Sequence, residues 1–304
     1  MAAAGTDVEP SMSSLAVSGL PARESRRVMG LSPGRLAYVA LAAVVALLFA
    51  FPVLFMITSS FKAEWEVQAI PVHWLPYDFQ GLGRYVHAAE LAPLWRYFFN
   101  SAIMSVTNVV VTCFFSALAG YGFAKFRFPG RTFLFYFIIA TMMIPLQILV
   151  VPLFVEIRAF GWQDTYAGLI VPGIMNAFGV FMMRQYAGEL PTELIEAGRM
   201  DGAGECVIFL RIVLPLLVPA LTSLGIIIFI WSWGNFLWPL VAVQDRDLTV
   251  LAVGLTNYTQ PYNSGMQWAA AMAASTVATL PIAAIFVFLQ RYFIKGLTAG
   301  AVKG

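Results

Sequence analysis

Six long stretches of this chain carry no charged residue, and they leave little choice of architecture. They cover residues 36–61, 97–124, 132–155, 165–183, 212–244 and 248–290. A helix crossing the hydrocarbon layer needs about 20 predominantly apolar residues, so each run is read as one span. The last two runs exceed one span, and their helices are placed at 215–236 and 268–290. Residues Asn257 to Asn263 between them read as a polar loop rich in turn formers. Composition agrees: 60% of residues are hydrophobic, 11% are charged and mean hydropathy is +0.78. A soluble domain of this length cannot cover that much apolar surface with polar groups. A net charge of +2 gives no reason to expect nucleic acid as a partner. Two cysteines make no disulfide framework, Cys113 falling in an apolar run and Cys206 in a polar loop.

Lys and Arg set the orientation. Six spans place both termini on one side, which holds thirteen of these residues, among them Arg23, Arg35, Lys125, Arg131, Arg199, Arg291 and Lys303. The other side holds five: Lys62, Arg84, Arg96, Arg158 and Arg246. The termini are therefore expected in the cytoplasm. Residues 1–30, small and polar, read as a disordered cytoplasmic tail ahead of a membrane domain over 31–304. A signal peptide is the competing reading, but its apolar core is typically about 7–15 residues, so an uncleaved first span is expected.

The loop between the fourth and fifth spans, about 187–213, is the distinctive polar segment. Pro191 suits a first helical turn, and Glu193 complements the helix dipole. That helix is expected to end near Met200, with Gly202 supplying a positive-φ turn. A second short helix over 205–212 leads to Pro215. The result is a helix-turn-helix elbow projecting Glu196 and Arg199. It is either a solvated connector or a rigid lever that fills a groove on a partner.

The spacing within this loop goes further. Glu196-Ala197-Gly198 is followed by Gly202 six residues after Glu196, and by Ile212-Val213-Leu214-Pro215 ten residues after Gly202. This resembles the cytoplasmic coupling loop of binding-protein-dependent ABC importer permeases, with Gly198 where that pattern has Ala. Gly198 is expected to loosen the helix by about 0.5–1 kcal/mol and to let a partner backbone approach. Asn100-Ser101, the segment Ala119 to Gly130, Met142 to Pro145, Asp164 to Ile170, Trp233 to Pro239 and Arg291 to Thr298 extend the resemblance from about residue 36 to the end. The chain is thereby identified as a member of the carbohydrate-uptake branch, similar to the smaller maltose-transporter-type permease. Many relatives carry Asn where Gly234 stands, and Asn235 follows here instead, about 100° around the helix.

The resemblance implies an all-α integral membrane protein of six helices with the type I ABC importer permease fold. It implies a second, non-identical permease, two ATPase subunits and an extracytoplasmic sugar-binding protein, in a prokaryotic inner membrane. ATP and Mg would sit on the ATPases, and no cofactor on this chain. The coupling residues implied are Glu196, Ala197, Gly198, Arg199, Asp201, Gly202, Ala203, Leu214 and Pro215. In the tail over 291–304, Thr298, Lys303 and Gly304 would reach the ATPase interface.

The rest of the sequence narrows the chemistry. The chain has no Gly-Lys dipeptide and hence no phosphate-binding P-loop. His73 and His87 lack metal-ligand spacing, and no hydrolase motif occurs, so an enzyme is not expected. The spans carry no ionisable residue in their middles, unlike proton-coupled carriers, and this suits an uncharged solute. Asn108, Gln147, Asn176 and Asn235 are the mid-membrane polar residues. Each either lines a hydrophilic path or bonds a neighbouring helix, the latter being the expectation for Asn108. Gln147, Asn176, Asn235 and Trp233 form the candidate path, where an indole packs on sugar C–H faces and amides bond hydroxyls. The alternative for the Trp residues is the interfacial aromatic belt, expected for Trp238. Pro145, Pro152 and Pro172 either kink helices around a cavity or are tolerated breaks. The rival readings are an importer of another solute such as a polyol phosphate, a self-contained secondary carrier, and a scaffold without a path.

Overall fold

The computed structural model describes residues 33–259 and 266–298, and every regular element among them is helical. The main helices are α1 (Pro33–Ser59), α2 (Leu94–Lys125), α3 (Arg131–Thr141), α4 (Leu146–Ala159), α5 (Tyr166–Ile170), α6 (Ala177–Glu189), α7 (Thr192–Met200), α8 (Glu205–Ile208), α9 (Val218–Trp233) and α10 (Trp268–Thr298). The chain forms two units, Met1–Ala50 and Phe51–Gly304. The described part of the first is the N-terminal portion of α1; all that follows concerns the second.

The six expected runs appear as three continuous spans and three broken ones. Gly34–Ser59, Leu94–Lys125 and Trp268–Leu289 are long and apolar enough to cross a membrane unbroken. The third run bends by 98° between α3 and α4, the fourth by 48° between Tyr166–Gly173 and α6, and the fifth by 76° between Glu205–Leu216 and α9. Proline accounts for these breaks. Pro145 is the extended residue before α4, Pro172 lies in the short 3₁₀ turn before the second break, and Pro219 sits in the first turn of α9. None has an N–H to continue a preceding helix. Pro152, by contrast, lies inside α4, which continues through it.

α2 is the axis of the second unit. Its buried residues recur every three or four positions and include Asn100, Ser101, Ser105, Asn108, Thr112 and Ser116. Its exposed positions carry Phe99, Ile103, Val106, Val110 and Phe114. The polarity is inverted relative to a soluble helix: small and polar residues face the protein, where they bond neighbouring helices, and bulky apolar ones face outward. Asn100 shows the use of this face. Its Nδ2 donates to the carbonyls of Asp247 and Thr249, both at 2.9 Å, while its Oδ1 accepts from the Tyr166 hydroxyl at 2.8 Å. Ser101 Oγ accepts the Leu251 N–H at 2.8 Å.

Three apolar clusters line up along α2. One gathers Tyr97, Trp233, Tyr258 and the alanines that open α10; one gathers Met104, Leu169 and Trp238; the third packs Ala117 and Tyr121 against α6 and the α7–α8 elbow. The expected belt position of Trp238 is not found. It is buried, and its Nε1 donates to the Gly168 carbonyl at 3.1 Å. The loop after Leu251 is less solvated than its composition suggests. Tyr258 is buried with its hydroxyl donating to the Ala88 carbonyl, and Asn257 Nδ2 donates to the Tyr97 hydroxyl. The expected disordered tail over 1–30, loop residues 260–263, and tail residues Lys303 and Gly304 lie outside the described residues, and Thr298 is the last residue of α10.

Candidate functional site

Two features of the second unit can carry function, and α2 runs through both. The first is a cavity of about 470 Å³ where the breaks of the third and fourth runs meet the end of α9. Each side chain arrives for a local reason. Pro145 ends the turn after α3, so Gln147 falls in the first turn of α4. Asn176 is the N-cap of α6, its Oδ1 accepting the Gly179 N–H at 3.0 Å. Asn235 follows the C-terminus of α9 at Gly234. Beneath them Asn108 of α2 donates from Nδ2 to Ser232 Oγ of α9 at 2.9 Å, both residues being buried.

Gln147, Asn176 and Asn235 are thus brought together, with Trp231, Phe236 and Leu237 as apolar wall. Asn108 does both things open to it: it lines the cavity and bonds a neighbouring helix. The displacement from Gly234 to Asn235 leaves an amide on the wall, since both residues line it. Trp233 does not join them. It is buried, it stacks on Phe229 at 5.4 Å, and its Nε1 donates to the Ala278 carbonyl at 2.9 Å. The exposed indole at the cavity belongs to Trp231, two residues earlier and so on another face of the helix.

Among the described residues, those lining the cavity carry no ionisable side chain. The arrangement offers amide donors, amide acceptors, a hydroxyl and an aromatic face. The N-termini of α4 and α6 border it with partial positive charge. Such a surface can pair with hydroxyl groups in both of their functions, as donor and as acceptor. Among the described residues no group of three or more His, Cys, Asp or Glu is placed to hold a metal ion.

The second feature is the elbow. α7 starts after Pro191 and ends near Met200, and Gly202 has φ +79°, both as the sequence suggests. Gly202 N–H donates to the Arg199 carbonyl and Ala203 N–H to the Gly198 carbonyl, both at 3.0 Å, which closes the last turn in a Schellman arrangement. Asp201 is the exposed C-cap, and Glu196 and Ala197 lie exposed on the outer face. The expected second helix over 205–212 is found and runs on to Leu216: α8 passes at Ile208 into a wide π-helical turn, Phe209–Val213, and then into the turn that holds Leu214 and Pro215. Leu214 is half-buried and Pro215 exposed.

Gly198 differs from the expectation of an open helix face that a partner backbone approaches. It is buried, and a Cβ there would come within 2.9 Å of Ile212 Cδ1 and 3.2 Å of Ile208 Cγ1. The missing side chain makes room for the elbow's own return segment. Arg199 is exposed on the elbow, as expected, and there its Nε donates to Glu205 Oε1 at 2.7 Å. That hydrogen bond raises the Arg199 pKa above its ordinary value.

Sequence reasoning missed the fasteners between elbow and α2. Lys125 Nζ donates to the Leu190 carbonyl at 2.6 Å, at the entry to α7. Tyr121 stacks on Phe209 at 5.8 Å and its hydroxyl lies 3.4 Å from Glu205 Oε2. Ile195, Ile208 and Val213 pack against Ala117, Met183 and Ala187. A push on α7 therefore meets a packed body joined to α2 and α6. The only sequence signal for these fasteners is the placement of Tyr121 and Lys125 at the end of an apolar run.

The family model described as the binding-protein-dependent transport system inner membrane component matches residues 113–299, more than half of the chain. The arabinooligosaccharides transport system permease protein AraQ of Halalkalibacterium halodurans is 38% identical over 265 residues, 86% of this chain and 94% of that protein. The AraQ protein of Bacillus subtilis is 36% identical over 86% of this chain and 93% of its own length. The sn-glycerol-3-phosphate transport system permease protein UgpE of Brucella abortus is 31% identical over 83% and 91%. Among solved structures, a bacterial ABC transporter involved in the import of the acidic polysaccharide alginate superposes with a TM-score of 0.75, covering 85% of this chain and 95% of that one. At 24% identity that likeness shows the shared fold.

Proposed function

The chain belongs to the family of binding-protein-dependent transport system inner membrane components, and on that premise we propose that it is the permease subunit of an ATP-driven importer of a sugar or related polyol. The observation that carries the sugar reading is the cavity: amides, a hydroxyl and an exposed indole, with no ionisable side chain among its lining residues. A sugar hydroxyl both donates and accepts, so it matches Asn and Gln side chains in either sense. The AraQ relatives, named for arabinooligosaccharides, support the same class.

Transport proceeds by alternating access in an assembly with a second, non-identical permease, two ATPase subunits that hold ATP and Mg, and an extracytoplasmic binding protein. The termini and the elbow face the cytoplasm. Each ATPase grips an elbow, in this chain through the outer face around Glu196 and the turn at Gly202. The C-terminal tail from Thr298 through Lys303 and Gly304 reaches the ATPase interface. Closure of the ATPases on ATP pushes the elbow, and the Lys125 and Tyr121 fasteners pass that displacement to α2. Asn108, thirteen residues before Tyr121 in the same helix, moves with it about 20 Å away.

A second reading, import of a polyol phosphate, rests on one observation: the N-termini of α4 and α6 at the cavity suit an anion. The absence of Lys or Arg from its lining weighs against that reading. The test is ATP-driven uptake by the reconstituted assembly, comparing a labelled arabino-oligosaccharide with labelled glycerol 3-phosphate. Uptake of the sugar that needs the binding protein is expected. Glu196→Lys leaves membrane insertion intact and abolishes uptake together with binding-protein-stimulated ATP hydrolysis. Transport by this chain alone without ATP would overturn the reading, and exclusive uptake of the phosphate ester would select the second.

A further inference from the structure

The segment between α1 and α2 is folded inside out. Two of its charged residues are buried: Lys62 is 0% exposed and Glu66 1%. Lys62 Nζ donates to Ser59 Oγ at 3.1 Å and to the His73 carbonyl at 2.5 Å. Glu66 Oε1 accepts the N–H groups of Tyr77 and Asp78 at 2.8 and 2.9 Å. Glu64 is half-buried, and its carboxylate accepts the Trp268 and Ala269 N–H groups at the start of α10. The apolar side chains of the same segment point out: Ile70 is 96% exposed, Leu75 73%, Tyr77 83% and Trp74 56%. A segment in water has the opposite arrangement, because exposing four large apolar groups and burying two charges are both unfavourable there.

The position of Trp74 says what medium the segment meets. Its ring packs on Phe51 at 5.1 Å between centroids and on Phe55 at 5.8 Å. Those residues lie eight and four positions before Ser59, the last residue of α1, hence about 12 and 6 Å inside the end of that span. The segment therefore turns back along an apolar span instead of standing off from it. Lys62 follows the same path, its Nζ lying 4.6 Å from the Phe55 ring centroid.

We propose that the segment Trp65–Leu82 lies in the lipid interface of the membrane, with Ile70, Trp74, Leu75 and Tyr77 immersed among headgroups and upper acyl chains. Amphipathic aromatic rings favour that layer, and Lys62 and Glu66, turned inward and bonded through Nζ and Oε1, keep their charges out of it. Asp78, the exposed charge of the segment, marks its watery edge. The segment anchors the end of α1 and, through Glu64, the start of α10 at one depth. The substrate and the elbow play no part in this inference, which needs only that α1 spans the membrane.

The test is collision accessibility of a nitroxide attached at Leu75→Cys or Tyr77→Cys, in a Cys113→Ala/Cys206→Ala background, with the full assembly in lipid nanodiscs. Oxygen partitions into lipid and a nickel chelate stays in water. Oxygen collisions exceeding nickel collisions at both positions is the expected result, with nickel in excess at Asp78→Cys. Nickel in excess at Leu75 or Tyr77 means a solvated loop, and low collision rates with both reagents mean a protein partner covers the surface; either overturns the proposal. Ile70→Cys and Phe79→Cys read the same surface if one of the first pair fails to assemble.

Discussion

Gly198→Ala gives opposite signs for two pictures of the elbow. On an exposed helix face, replacing Gly by Ala stabilises by about 1 kcal/mol, because Ala loses less backbone entropy on folding. Here the new methyl would sit 2.9 Å from Ile212 Cδ1 and 3.2 Å from Ile208 Cγ1. Inserting a methyl into a filled core costs about 1–3 kcal/mol. Ile212 is half-buried and its Cδ1 is a chain end that can swing aside, whereas Ile208 is fully buried. The net effect is a loss of about 0–2 kcal/mol, seen as a lower midpoint in thermal unfolding of the purified assembly. Ile212→Val removes the atom at 2.9 Å at its own cost of about 0.5–1.5 kcal/mol. In that background Gly198→Ala should become neutral or stabilising, a positive coupling in the double-mutant cycle. A midpoint raised by Gly198→Ala alone, with no coupling to Ile212→Val, would refute the packing argument and return Gly198 to the role of a partner's landing place.

Other residues give sharper single outcomes. Trp233→Phe removes the hydrogen bond to Ala278 and should lower stability by about 0.5–1.5 kcal/mol without changing the affinity for transported solute, measured by uptake KM. Asn176→Ala deletes the N-cap of α6 and an amide of the cavity wall, so a loss of about 1 kcal/mol in unfolding accompanies a raised uptake KM. Glu64→Ala frees the first N–H groups of α10 and should cost about 1 kcal/mol, read as a lower unfolding midpoint with the elbow still binding its ATPase. Gly202→Asp places a side chain at φ +79°, costing about 1–2 kcal/mol, and should loosen ATPase co-purification.

The spans were legible in the sequence because a membrane demands long uncharged runs, and α2, α10 and the elbow begin or end within a few residues of where those runs place them. The breaks were less so. Pro145 and Pro172 interrupt helices while Pro152 does not, and nothing local distinguishes them. Trp233 and Trp231 illustrate a second limit: both lie near the same helix end, but only the packing of α10 decides which indole is buried. Gly198 shows a third, since its reason is Ile212, fourteen positions on and brought back by a turn whose width the sequence does not announce. Lys62 reads in the sequence as one more surface charge, yet it is buried, and its burial depends on a carbonyl eleven residues away.

α2 joins the cavity to the elbow with no hinge between: Asn108, Tyr121 and Lys125 share one unbroken helix. For anyone building chimaeras this sets the unit of exchange. Transplanting the 187–213 loop alone would seat foreign side chains on Tyr121 and Lys125, and transplanting the cavity wall alone would leave Asn108 facing a stranger's Ser232. A graft meant to keep these contacts should cut ahead of α2, near Pro93, and beyond the cavity wall, past Leu237, so that the rod moves with both the cavity and the elbow.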